Sequence, residues 1–217
     1  MIKAIFFDLD GTLINTNPLI IRTFKETFEM YLPERIFLEE EIHDCIGPTL
    51  EQTFSKYYPE KMSEMVQSYR HINKSYHDEM VVIYPGIIEM LKTLREMNFK
   101  LAIVTSKKRD MAIHGATVLG IYDYFDLVVS SDDVVAHKPE PDCIEAARAF
   151  FNLDKSEVMM IGDNSQDILC AQNAGVLSVG VSWALRGADY LQKFNPDYML
   201  EEAMDLITLV TQLNEKE

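Results

Sequence analysis

Residues 4 to 12 read Ala4-Ile5-Phe6-Phe7-Asp8-Leu9-Asp10-Gly11-Thr12. Four apolar residues stop abruptly at a carboxylate, and a second carboxylate, a glycine and a threonine follow. A short, unbroken apolar run suits a strand buried on both faces, the strand type of parallel sheets. The pattern returns along the chain. Leu101 to Val104 leads into Thr105, Ser106 and Lys107, and Val158 to Ile161 leads into Gly162 and Asp163, with Asp167 close behind. Leu127 to Val129 precedes the loop that carries Lys138, Leu177 to Val181 adds another run, and Tyr198-Met199-Leu200 forms a last short one. Between the runs, Ile87, Ile88, Leu91 and Leu94 fall at helical spacing, as do Ile144, Ala147 and Phe151; a final helix is expected from about Glu202 to Leu213. Strands alternating with helices predict an α/β fold with a doubly wound, mostly parallel sheet.

The alternation breaks once. Residues 15–80 show no convincing strand, and helical spacings such as Phe24-Phe28 and Met62-Met65-Val66-Tyr69 dominate. Pro18, Pro33, Pro48 and Pro59 divide this stretch into about four helices. Pro85-Gly86 marks the return to the sheet. The expected organisation is an α/β core from residues 1–14 and 81–217, with an inserted all-helical subdomain from 15–80. The last residues, Asn214-Glu215-Lys216-Glu217, are expected to fray.

The chain has 217 residues, 47% of them apolar and 25% charged, which suits a globular protein with a buried core. Its 20 basic and 35 acidic side chains leave a formal charge of −15. Such a chain repels phosphate backbones and anionic membranes, so no nucleic-acid or membrane partner is expected. The apolar N-terminal run is cut short by Asp8 and is too short for a targeting or membrane segment. Cys45, Cys143 and Cys170 are odd in number and lack paired spacing, which predicts free buried thiols in a cytoplasmic protein. A monomer or homodimer is expected, a choice the sequence does not decide.

Ligands of open α/β sheets bind beyond the carboxyl ends of the strands. Here that rim collects Asp8, Asp10, Asp163 and Asp167 with Thr105, Ser106 and Lys138. Like charges repel at close range, and the cluster makes sense around a hard cation; oxygen-only ligands favour Mg2+ over zinc or copper. Mg2+ with threonine, serine and lysine is equipment for phosphoryl transfer. Lys138 would neutralise phosphoryl oxygens, Thr105 and the turn N–H groups would donate to them, and Asp8 could attack phosphorus. Asp10, two residues along an extended chain, shares its side and could protonate the leaving group. Gly11 permits a sharp exit from the strand. Taken singly, each piece has a plain structural reading: Asp-x-Asp-Gly-Thr is a turn, Thr105-Ser106 a helix cap, Lys138 a solvated charge, and Gly162-Asp163 with Asp167 a turn and cap. All of them at strand ends, in this order, favour chemistry.

Asp8-Leu9-Asp10-Gly11-Thr12, Thr105, Lys138-Pro139 and Gly162-Asp163 with Asp167 resemble the motifs of the haloacid dehalogenase superfamily, and the likeness spans essentially the whole chain. The helical insertion resembles that family's C1-type cap. The resemblance implies Asp8 as nucleophile, Asp10 as general acid and base, and Thr105 and Lys138 as phosphoryl ligands. It also implies Mg2+ held by Asp8, the Asp10 carbonyl and Asp163, with Asp167 in support. Ser106 stands where many members carry asparagine. Aspartate at position 10 argues for phosphate chemistry over dehalogenation. Ile14-Asn15-Thr16-Asn17, Ile46-Gly47-Pro48-Thr49-Leu50 with Thr53-Phe54-Ser55, Asp132-Asp133-Val134 and Pro196-Asp197-Tyr198-Met199-Leu200 resemble cytosolic pyrophosphatases of the PpaX type. Phosphoglycolate phosphatases share the same core motifs.

The expected activity is therefore a Mg2+-dependent phosphohydrolase acting on a small phosphorylated substrate, with pyrophosphate favoured and phosphoglycolate second. A sugar phosphomutase, a phospho-aspartate receiver domain and a noncatalytic binding protein are the competing readings. A receiver is disfavoured because the acceptor lies on the first strand and a large insertion follows it. Substrate choice is expected from the insertion, with Gly47, Lys56, Arg70, His71 and His77 as candidates. Arg70 is the fork-shaped partner for a second phosphate.

Overall fold

The computed structural model describes residues 1–215, so Lys216 and Glu217 lie outside it. In chain order the first elements are β1 (Ala4–Phe7), β2 (Ile14–Asn15), α1 (Asn17–Tyr31), α2 (Glu39–His43), α3 (Leu50–Tyr57) and α4 (Met62–Met80). Next come β3 (Val82–Ile83), α5 (Ile87–Glu96), β4 (Lys100–Val104), α6 (Arg109–Val118), β5 (Leu127–Val129) and α7 (Asp142–Phe151). The chain continues through β6 (Val158–Gly162), α8 (Ser165–Ala174), β7 (Leu177–Val181), α9 (Ala188–Gln192), β8 (Tyr198–Leu200) and α10 (Asp205–Glu215).

Six strands form one sheet in the order β5-β4-β1-β6-β7-β8, and every neighbouring pair is parallel. Strand periodicity sends alternate side chains to opposite faces. Ile5 and Phe7 of β1 join one apolar cluster with Leu91 and Leu94 of α5 and Leu206 and Val210 of α10. Ala4 and Phe6 join a second cluster with Ile144 and Ala147 of α7 and Ala171 and Ala174 of α8. Both faces are covered, which is why the strands read as unbroken apolar runs. β1 lies between β4 and β6, so the chain turns away in opposite directions on its two sides, and the carboxyl ends of these three strands border the crevice.

Helices α1 to α4 gather a third cluster of their own. Phe24, Phe28, Phe54, Met65 and Tyr69 are buried there, with Phe28 stacked on Phe37 at 4.0 Å between ring centroids. The two chain crossings that flank these helices pair as β2 and β3, antiparallel, with Ile14 opposite Ile83. No helix among the described residues is long and apolar enough to cross a membrane.

Three expectations are corrected in detail. Ile88 is 46% exposed, because Ile87 takes the inward direction and adjacent helical residues do not share a face. The last helix starts at Asp205 rather than near Glu202, because Asp205 Oδ2 accepts from the N–H groups of Glu201 and Glu202 and holds that segment as a turn. Asn214 is tied down: its side chain accepts from the Ile2 N–H at 2.6 Å and donates to the Ile2 carbonyl at 3.1 Å. All three cysteines are free and buried.

Candidate active site

The ends of β1, β4 and β6 meet beneath α1 to α4 in a cavity of about 800 Å³, which Asp8, Asp10, Thr105, Ser106, Lys138, Asp163 and Asp167 all line. At its floor Lys138 is buried, and its Nζ donates to Asp8 Oδ1 at 2.8 Å, Asp167 Oδ1 at 2.6 Å and the Val104 carbonyl at 2.8 Å. An ammonium has three donors, so all of them are engaged. Burial alone would pull its pKa down, but the Asp167 and Asp8 carboxylates outweigh that and hold it well above the ordinary lysine value.

Asp8, Asp163 and Asp167 offer carboxylate oxygens within 4.8 Å of one another, all buried. Burial pushes the Asp8 carboxyl up to about 7, against the pull of Lys138 and with help from Asp167. Asp163 is raised well above the usual carboxylate range, first by burial and then by the charges of Asp167 and Asp8. Three crowded carboxyl groups facing one ammonium form an environment that a hard divalent cation would complete. Glycine lets the loop pass close to this cluster: at Gly11, φ is +88° and an added Cβ would stand 2.2 Å from Asp163 Oδ2.

Neighbouring elements orient these groups. Asp167 Oδ2 accepts from the Asn164 N–H at 3.0 Å, so Asp167 closes the capping box of α8 while its other oxygen holds Lys138. Thr12 Oγ1 donates to Asp163 Oδ1 at 3.1 Å. Thr105 Oγ1 accepts the Lys107 N–H at 3.1 Å, which leaves its own hydrogen free for an incoming oxygen. Thr105 does not cap α6; Lys108 holds that position. Asp10 faces Lys107, whose Nζ lies 2.8 and 3.1 Å from its two oxygens.

The candidates in the helical insertion divide. Gly47 and Arg70 line the cavity, although Arg70 is already paired with Glu51 at 2.9 Å. Lys56 lines a separate, smaller cleft beside Tyr57 and Pro139. His71 lines neither cavity, since it is one residue and so about 100° round α4 from Arg70. His77 is buried away from the cavity, bonded to Asp78 at 2.9 Å, with its ring centroid 5.2 Å from that of His114.

Several contributors escaped the sequence reading. Asn164 Nδ2 donates to the Ile46 carbonyl at 3.1 Å and joins the sheet rim to the insertion; its place after Asp163, opening a helix, was the available signal. The Trp183 indole N–H donates to the Thr12 carbonyl at 3.1 Å and anchors the loop beyond Gly11. Arg186 pairs with Asp44 across the same boundary.

The sequence profile of haloacid dehalogenase-like hydrolases matches residues 5–181. The chain belongs to that family. It is 46% identical over 209 residues to a pyrophosphatase PpaX from Halalkalibacterium halodurans, covering 96% of this chain and 97% of the relative. It is 43% identical over 209 residues to a pyrophosphatase PpaX from Listeria monocytogenes, covering 96% of each. A haloacid dehalogenase-like hydrolase from Streptococcus pneumoniae superposes with a TM-score of 0.85 at 29% identity, covering 96% of this chain and 98% of that one. The chain is thus a phosphatase of the haloacid dehalogenase type.

Proposed function

We propose that this enzyme hydrolyses a small phosphorylated substrate through an aspartyl-phosphate on Asp8, with inorganic pyrophosphate favoured. The observation that carries the reading is the triple engagement of Lys138, which fixes one oxygen of Asp8 at the mouth of β1. The names of the similar pyrophosphatases support the substrate.

The Asp8 carboxylate attacks phosphorus, a bond forms from its oxygen to phosphorus, and the bond from phosphorus to the leaving oxygen breaks. Asp10 delivers a proton to that oxygen. Esterification removes the charge on Asp8, so its oxygen becomes a poorer acceptor and the Lys138 donor it held turns to a phosphoryl oxygen. The Thr105 hydroxyl donates to another. Asp10 then takes a proton from water, the water oxygen bonds to phosphorus, and the bond to Asp8 breaks, releasing orthophosphate. Mg2+ suits the three carboxylates: Asp8, Asp163 and the Asp10 carbonyl would hold it with Asp167 in support, and when bound it neutralises charge on the phosphoryl oxygens.

Residues 15–80 serve as a cap that excludes water from the phosphoenzyme. The three free thiols support a cytoplasmic place of action.

The test is phosphate release from pyrophosphate, phosphoglycolate and hexose phosphates with Mg2+, for wild type and Asp8→Asn. Wild-type turnover of pyrophosphate above the others, absent in Asp8→Asn, is expected, with a hydroxylamine-sensitive phosphoenzyme in wild type alone. Preference for phosphoglycolate overturns the substrate; an active Asp8→Asn overturns the mechanism.

A further inference from the structure

The cations near the cavity mouth fall into two groups. Lys108 is paired with Asp132 at 2.5 Å, Arg109 with Asp133 at 2.6 Å and Arg70 with Glu51 at 2.9 Å, and all six side chains lie at or near the surface. Their charge is matched outside the chemistry. Lys74 lines the cavity but is exposed, so solvent and salt screen it.

Lys107 is different. Its side chain is 14% exposed and that of Asp10 18%. Its Nζ spans both oxygens of Asp10, and among the described residues it has no other side-chain partner. Its backbone is held at both ends: the N–H donates to Thr105 Oγ1, and the carbonyl accepts from the Ser131 N–H at 3.1 Å and the Ser131 hydroxyl at 3.3 Å. A long, flexible ammonium thus stands on a fixed root beside Asp10, the proposed general acid.

Charge explains what it is for. The chain carries −15 overall, and four of its carboxyl groups, Asp8, Asp10, Asp163 and Asp167, gather around the cavity floor with Lys138. A substrate whose leaving group is itself anionic meets repulsion there unless a cation waits on that side. In the proposed mechanism Lys138 holds the transferred phosphoryl group, so it cannot also serve the far end of the substrate. We infer that Lys107 is the specificity residue for leaving groups that bear a negative oxygen of their own. Its ammonium has a donor beyond the two that Asp10 engages, and that donor binds the second phosphoryl group of a diphosphate or the carboxylate of a phosphorylated hydroxy acid. The inference rests on the proposed roles of Asp8 and Asp10 and names the class of leaving group this enzyme prefers.

The experiment compares wild type, Lys107→Met and Lys107→Arg on pyrophosphate, phosphoglycolate and p-nitrophenyl phosphate. It also measures, by calorimetry with Mg2+, binding of non-hydrolysable methylenediphosphonate and of orthophosphate. Lys107→Met is expected to lower kcat/KM on the anionic-leaving-group substrate by roughly tenfold or more, mainly through KM, and to weaken methylenediphosphonate by a similar factor. Losses on p-nitrophenyl phosphate and orthophosphate should be several-fold smaller, and Lys107→Arg should recover part of the selectivity. Whichever anionic substrate shows the loss identifies the source of the second charge. Equal losses on every substrate would reduce Lys107 to a positioning residue for Asp10 and overturn the inference, as would no loss. A wild type that turns over none of the substrates defeats the proposed substrate and mechanism instead, while the methylenediphosphonate arm still decides the role of Lys107.

Discussion

Lys138 Nζ and Asp167 Oδ1 stand 2.6 Å apart with side chains only 3% and 4% exposed. Water screens such a pair poorly, so removing the ammonium leaves Asp8 and Asp167 buried without a counter-charge. Lys138→Met should destabilise the metal-free fold by about 3–5 kcal/mol near neutral pH. The double variant Lys138→Met with Asp167→Asn should recover part of that loss. Urea unfolding in chelator checks this; a single variant as stable as wild type would remove the lysine from the role of counter-ion.

Gly11 sits where a side chain would strike Asp163, with a φ that other residues rarely adopt. Alanine must push the Asp163 carboxylate aside or bend the loop held by Trp183. Misplacement on the scale of 1 Å costs about a hundredfold in rate, so Gly11→Ala should lose at least that much Mg2+-dependent turnover. Steady-state rates over a Mg2+ titration measure it. Unchanged rates would show that the glycine reserves no functional space.

If the cluster of Asp8, Asp163 and Asp167 holds a divalent cation, that cation should stabilise the fold. Chelation should abolish turnover and Mg2+ restore it. At a hundred times its dissociation constant, Mg2+ should add about 2.7 kcal/mol of stability. Asp163→Asn should blunt the thermal shift. A wild-type melting temperature that ignores Mg2+ would argue against a site here.

His77 gives a pH dependence of definite sign. Burial depresses its pKa below 6.5 although Asp78 pulls the other way. The unfolded chain therefore binds the proton more readily. The stability this neutral ring contributes is complete above pH 6.5 and is lost as pH falls through the depressed folded value. Asp78, itself depressed by His77 and then His114, acts in a lower window, below 3.8. The stability of His77→Gln relative to wild type should be flat above pH 7 and shift toward the variant down to pH 5. A constant difference across that range would contradict the assignment.

Strand positions and the four rim motifs were legible because burial on both faces leaves unbroken apolar runs, and because strand ends are where polar residues become affordable. Partner choice was not. Lys107 and Asp10 are 97 positions apart, and their meeting depends on β4 lying beside β1, which no local pattern encodes. Helical spacing placed Arg70, His71 and His77 on one helix but could not say which faces looked into the cavity. Only the angle at which α4 crosses the rim decides that. In the sequence alone Asp167 fits either a cap or a ligand, whereas in the fold one of its oxygens closes the capping box and the other holds Lys138.

The hydrogen bond from Asn164 to the Ile46 carbonyl has a mechanical consequence. Asn164 follows Asp163 directly, and Gly47, where an added Cβ would stand 3.0 Å from the Asn164 amide, follows Ile46. The roof of the chamber is therefore clasped one peptide away from a carboxylate at its base. If residues 15–80 hinge about the β2 and β3 crossings, that clasp must open, and a substitution such as Asn164→Ala should loosen the insertion at a point next to Asp163.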